Sequence, residues 1–139
     1  MLTPAVARPD AALLALRPVV VTESATPADT AVGAFLHATL RPVLKLQNDL
    51  LLGVVTDFVR DHHITLRPTD QQHQLAELLT RNTKLRYTIV GLITGQLTAE
   101  EYAFYRQHRP ELNRRLLEMA QRRVLDQATA VALGSEVPD

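Results

Sequence analysis

The side chains with the widest chemical reach gather in one stretch: His62, His63 and His73, with Asp61 and Asp70. Imidazole nitrogens and carboxylate oxygens are competent ligands for zinc or a similar ion. Neighbouring residues of a connection point apart rather than toward one ion, however, and the HExxH spacing that puts two imidazoles on one helical face does not occur. A solvated polar connection accounts for these residues, so the sequence predicts no metal centre and no cofactor. With no cysteine in the chain, disulfides, thiol catalysis and thiolate metal sites are excluded. There is no glycine-rich phosphate loop, no GxSxG elbow and no dinucleotide fingerprint. The acidic residues mostly hold positions suited to helix caps or ion pairs, so no general acid and base assemble, and the expectation leans away from an enzyme.

A second concentration is Arg106, Arg109, Arg114, Arg115, Arg122 and Arg123. Guanidinium groups in this number suit phosphates, and Tyr102, Phe104 and Tyr105 just upstream carry rings on which bases can stack. A plainer outcome competes. Glu111 and Arg115, Arg114 and Glu118, Glu118 and Arg122, and Arg122 and Asp126 each stand four residues apart, a spacing at which opposite charges meet along a helix for about 0.2–0.5 kcal/mol per pair. A salt-bridged, solvated face with the aromatics turned inward is the expectation. Nucleic-acid contact through these arginines is the alternative.

The third constellation is a polar residue in an apolar row. Leu75, Leu78, Leu85, Ile89 and Leu92 follow spacings of three and four, and Asn82 fills the one gap. In a helical seam such an asparagine fixes register and partner number, and leaving its amide unpaired costs about 1–3 kcal/mol. The preceding row of Leu40, Val43, Leu50 and Val54 is interrupted in the same way by Gln47. An antiparallel hairpin turning near Thr65 sets Asn82 level with Asp49 and within a turn of Gln47 and Asn48. The expectation is a polar contact between Asn82 and one of these three side chains; a seam against a second copy across a two-fold axis is the alternative.

These residues need helices to position them. Pro4, Pro9 and Pro18 bar a long helix from residues 1–25, where one short turn capped by Asp10 and an extended run at Val19 to Thr22 are expected. This is an irregular arm, either flexible or packed on the surface, with docking on a partner, for instance as an added strand, as the sharper alternative. Thr26-Pro27-Ala28-Asp29 opens a helix that reaches residue 61 with a kink or break at Pro42. Its buried stripe is Val43, Leu46, Leu50, Val54 and Phe58, widened by Leu44, Leu51, Val55 and Val59. A second helix covers 70–94, with Gly95 as a left-handed stop. Thr98-Ala99-Glu100-Glu101 is a capping box that opens a third over 98–108, and a fourth covers 110–133, closed by Gly134 and Pro138. Gly53 and Gly91 are read as close-packing points or stops.

At 139 residues, 46% apolar and 22% charged, the chain has the size and composition of one globular domain, with the arm at 1–25 and a helical bundle at 26–139. Its 15 basic and 15 acidic groups cancel, although residues 60–123 carry +4 and residues 124–139 carry −3. That imbalance is weak for a dedicated nucleic-acid binder. The longest apolar run, Leu50 to Val55, falls far short of the roughly 20 residues that cross a bilayer. No secretory leader is legible, and a cytoplasmic location is expected. The fold class read from all this is all-α, a small helical bundle built on an antiparallel helical hairpin with an irregular N-terminal arm. The function read from it is a non-catalytic protein–protein interaction or assembly subunit, which buries an amphipathic helix face against itself, as a homo-oligomer, or against a protein partner. Leu75, Leu78, Leu85 and Ile89 would form that face, with Asn82, Gln47 and Asn48 setting register.

Overall fold

The computed structural model describes residues 7–20 and 30–136, and among the described residues there is no strand. A short helix α1 (Asp10–Ala15) precedes α2 (Ala31–Phe35), α3 (Arg41–Leu46), α4 (Asn48–Asp61), α5 (Gln71–Arg81) and α6 (Thr83–Thr94). Then come α7 (Ala99–Gln107), α8 (Arg109–Asp126) and α9 (Ala128–Ser135). Every helix from α2 to α9 contributes buried side chains to one apolar cluster, whereas α1 contributes none. The all-helical bundle agrees with the apolar spacing of the sequence. The chain is cut into more segments than that spacing suggests, and single residues do the cutting.

Between α2 and α3 the helix widens into a π-turn, Leu36–Leu40, in which the Arg41 N–H donates to Leu36 O five residues back. Pro42 has no N–H, and its ring collides with the carbonyl four residues back in a regular helix. The wider turn carries the chain past it, so the expected kink or break is absorbed as one extra residue. Gln47 adds a jog (φ −91, ψ 7) between α3 and α4. Burial then follows Leu51, Val55 and Val59, while Leu50, expected in the buried stripe, is 57% exposed. The start expected at Thr26 to Asp29 lies outside the described residues, as do Val21, Thr22 and Pro138. The described helix begins at Ala31, where the Thr30 hydroxyl accepts from Gly33 N–H at 2.9 Å.

The helix expected over 70–94 is two helices. Asn82 has extended backbone (φ −83, ψ 107), and its Oδ1 accepts from Leu85 N–H at 2.9 Å as the N-cap of α6. A short amide competes with the helical ladder and is favoured at a cap, so the polar interruption starts a new helix instead of entering a seam. The expected contact with Gln47, Asn48 or Asp49 is not made. Helix α4 packs chiefly against α9, α6 and α8, and Gln47 stands at Leu92, where the hairpin register put residue 84. The segment expected over 110–133 divides in the same manner at Gln127 (φ −117, ψ 26).

Helix α4 closes in a Schellman motif: His63 N–H donates to Arg60 O at 3.1 Å and Ile64 N–H to Val59 O at 3.0 Å. His63 takes the left-handed position (φ 54) that glycine usually fills. Gly95, by contrast, is right-handed (φ −62). A Cβ there would lie 3.0 Å from Gly91 O, the carbonyl four residues back that already accepts from Gly95 N–H. At Gly53 and Gly91 an added Cβ would meet nothing within 4 Å among the described residues, so neither is a packing point against them. Glycine inside a helix costs about 0.5–1 kcal/mol relative to alanine. Gly53→Ala and Gly91→Ala should each stabilise the isolated chain by about that amount, read as a rise in thermal midpoint. A lowered midpoint for either would mean that its helix is not bare at that point.

Candidate interaction site at the α6–α7 corner

The turn from α6 to α7 is short, and a helix that stops leaves carbonyls without intrahelical donors. Local bonds serve some of them: Gly95 N–H reaches Gly91 O at 2.9 Å, Gln96 N–H reaches Ile93 O at 3.1 Å, and Leu97 N–H reaches Thr94 O at 3.1 Å. Leu92 O, which those bonds skip, accepts from Gln47 Nε2 at 3.0 Å. The buried amide expected opposite Asn82 thus closes the end of α6. The next three carbonyls point to the N-terminal arm. Arg8 donates from Nη2 to Gly95 O at 2.7 Å and from Nε to Leu97 O at 2.9 Å, and Arg17 donates from Nη2 to Gln96 O at 3.1 Å.

On the α7 side the capping box is complete: Glu101 N–H donates to Thr98 Oγ1 at 3.2 Å, and Thr98 N–H donates to Glu101 Oε1 at 2.9 Å. Glu101 does more than cap. Its two oxygens receive both terminal nitrogens of Arg17 at 2.6 Å each, and Thr39 Oγ1 donates to Oε2 at 3.2 Å. The Arg17 side chain is 8% exposed and that of Glu101 16%, so this fork-to-fork pair is largely out of water. Asp10, at the start of α1, accepts from Ala99 N–H at 3.3 Å, where a carboxylate also meets the positive end of α7. It was expected to cap its own turn; it helps cap another helix.

Burial pushes the Glu101 carboxyl up, but the Arg17 hydrogen bonds, the Thr98 amide and the Arg17 charge together hold it at about 2, against an ordinary 4.5. Beside the corner a cavity of about 450 Å³ is lined by Arg8, Gly91, Thr94, Gly95, Leu97 and Tyr102 among others. A larger one, about 700 Å³, lies at the other end of α4 between Ile64, Leu66, Pro68 and α9.

The residues singled out from sequence fall elsewhere. Leu75, Leu85 and Ile89 are fully buried in the chain's own core and Leu78 packs at its edge. Asn48 forms a reciprocal amide pair with Gln127, at 3.0 and 2.9 Å, beside Arg123. Of the four ion pairs expected along α8, only Arg114 with Glu118 forms, at 3.1 Å. Arg106 and Arg109, outside those pairs, lie over the Tyr102 ring at 5.9 Å and the Tyr105 ring at 5.6 Å. Arg115 and Arg122 are exposed, with no carboxylate within 4 Å among the described residues. Burial and then the charge of Arg41 lower the pKa of Arg123. Tyr105 is buried and donates to Asn113 Oδ1, while Phe104 packs between Phe35 and His108.

The histidines do not converge. His62 stacks on Phe58 with its Nδ1 toward Phe58 O at 2.9 Å, and His73 faces Glu77 at 3.9 Å. No group of three or more His, Asp or Glu placed to hold a metal ion occurs among the described residues, and no described helix is long and apolar enough to cross a membrane. No family model matches the chain, and no curated protein or solved structure matches it significantly.

Sequence reasoning gave no role to Arg8 and Arg17, and gave Asp10 only its own turn to cap. A signal was present: Arg17 stands between Leu16 and Pro18 in an apolar stretch, with no acidic residue three or four positions away. Such a cation has to find its counter-charge far along the chain.

Because the folded value of Glu101 lies below the unfolded one, the unfolded chain takes up the proton first. The stabilisation is complete above about pH 4.5 and is lost as pH falls toward about 2. Denaturant midpoints followed down this range should fall more steeply for the wild type than for Glu101→Gln, which can still cap Thr98. At neutral pH Arg17→Ala should weaken arm docking by about 1–3 kcal/mol, read as faster amide exchange in residues 8–17. Parallel acid curves for wild type and Glu101→Gln would contradict this account of the pair.

Proposed function

We propose that this chain is a non-catalytic protein–protein interaction or assembly subunit whose contact surface includes the arm laid on the α6–α7 corner. One observation carries the reading: an arm fastened by polar side chains holds apolar ones out in water. Leu14, Leu16 and Val19 are 50%, 61% and 82% exposed, and α1 buries none of its residues. Single exposed apolar residues are ordinary on any surface, but three within six positions of a side-chain-anchored segment form a patch suited to burial against another protein. The bare glycines of α4 and α6 support the reading, since backbone without side chains admits close approach.

A triple variant, Leu14→Ser with Leu16→Ser and Val19→Ser, should leave chain stability within about 0.5 kcal/mol, as exposed substitutions do. It should weaken association at least tenfold, whether with its own copies by sedimentation or with host proteins by quantitative comparison of isolated complexes. Complexes of unchanged composition and strength would remove the arm from the contact surface.

A second reading, a nucleic-acid-associated or regulatory protein, draws on the arginines of the last helices. Arg115 and Arg122 lack the carboxylate partners that their spacing offered, Arg106 and Arg109 have none among the described residues either, and these last two stand beside Tyr102. If these four cations meet phosphates, the logarithm of affinity for duplex DNA should fall against the logarithm of salt with a slope of about −3 to −4. A slope near zero, or no retention at low salt, would discard this alternative.

A further inference from the structure

We infer that the α6–α7 corner is a docking site for the segment Arg8 to Val19 as a detachable ligand, and that the occupant it takes in assembly is the arm of a second copy of this chain. The inference rests on the interaction reading above and names the partner and the site.

The body presents a fixed set of polar partners. Gly95, Gln96 and Leu97 offer carbonyls, Ala99 an amide N–H, and Glu101 a carboxylate already oriented by its bond to Thr98 N–H. The arm matches them with Arg8 on two carbonyls, Asp10 on the amide, and Arg17 on the third carbonyl and the carboxylate. None of these groups depends on which chain supplies the arm. Arm and body are not welded by a shared core either, because α1 is absent from the apolar cluster. Nine residues connect Val20 to Thr30, and a chain spans at most about 3.3–3.6 Å per residue, which bounds how far the arm can reach from its own body.

Exchange of an identical segment costs little, since every bond broken in one copy is remade in the other. What it adds is burial. In the closed chain Leu14, Leu16 and Val19 face water, whereas two exchanged arms lie beside a second body that can cover them. Within one chain the tether keeps the arm at a high effective concentration, so the closed form dominates in dilute solution and exchange grows with protein concentration.

The charged pair permits a test on the full chain. Arg17→Glu alone and Glu101→Arg alone each oppose like charges at the corner. Mixed, the arm of the second fits the corner of the first as in the wild type, and the remaining arm and corner form the reversed pair. The expected result is a one-to-one heterodimer of mass-tagged chains, seen by native mass spectrometry only in the mixture. The double variant with both changes, which restores a closed pair, should stay monomeric when dilute.

If Glu101→Arg loses the fold by circular dichroism, the chain's lack of cysteine offers a second route. Lys45 Nζ donates to Val19 O at 3.2 Å, which sets the two positions about one lysine side chain apart, so full chains carrying Val19→Cys and Lys45→Cys should be joined by a short bismaleimide when mixed at high concentration. Mixed variants that stay monomeric though folded, or a cysteine pair that cross-links no better than two exposed thiols chosen elsewhere, would overturn arm exchange. Wild-type self-association that persists unchanged in Arg17→Glu would overturn it as well, while leaving the wider interaction reading in place.

Discussion

A carboxylate at the end of a helical turn can be satisfied locally, and Glu101 is only half satisfied that way. One oxygen takes the Thr98 amide at 2.9 Å, which is all a capping box requires; the rest of its capacity goes to Arg17 and Thr39. The pair with Arg17 therefore ties three parts of the chain to one point: the arm through Arg17, the π-turn through Thr39, and the start of α7 through Thr98. Removing a charged partner from such a place leaves the other charge without compensation in a poorly hydrated setting. The arm is thus fastened to the body although it adds nothing to the core. Its position is held by geometry of charge and carbonyl, not by apolar area.

The rest of the architecture shows the same economy with interrupted helices. Each interruption creates unsatisfied backbone groups; some are met by backbone, as at the end of α4, and others by a side chain. Asn82 serves Leu85 N–H, Gln47 serves Leu92 O, and Arg8 and Arg17 serve Gly95, Gln96 and Leu97. Buried polar groups are tolerated only when they find such partners. Gln47 shows the point best: at 8% exposure it sits in the core of an otherwise apolar face because the end of α6 needs a donor there. The polar breaks in the apolar rows are thus consequences of where helices end, and they meet backbone rather than one another.

That difference marks what the sequence could tell. The helical class followed from apolar spacing, and the capping box followed from residue types within four positions of each other, where side chain and backbone are obliged to meet. Asn82 misled because a seam position and a cap position look alike when only periodicity is read. An asparagine three residues before a leucine amide satisfies either, and the hydrogen bond decides. Pro42 was legible as a disturbance but not as a π-turn, because the choice between bending and widening is made by what the flanking turns pack against. Arg17 and Glu101, separated by 84 positions, carry no sequence-local mark of each other, so the site that organises the corner had to be found in three dimensions.

The balance of forces at the corner also bears on why such an arm would be polar in attachment and apolar in display. A segment glued by apolar contacts would bury the very side chains that a partner could use, and would separate slowly. Bonds from guanidinium to carbonyl and carboxylate can instead be traded for water or for an identical set in another molecule, at small net change each, since a hydrogen bond contributes only about 0.5–1.5 kcal/mol beyond its exchange with solvent. Only the Arg17 fork, withdrawn from water, resists that trade. In the proposed exchange it is therefore the contact that would select the occupant, while the carbonyl bonds would orient it and the exposed Leu14, Leu16 and Val19 would supply apolar area.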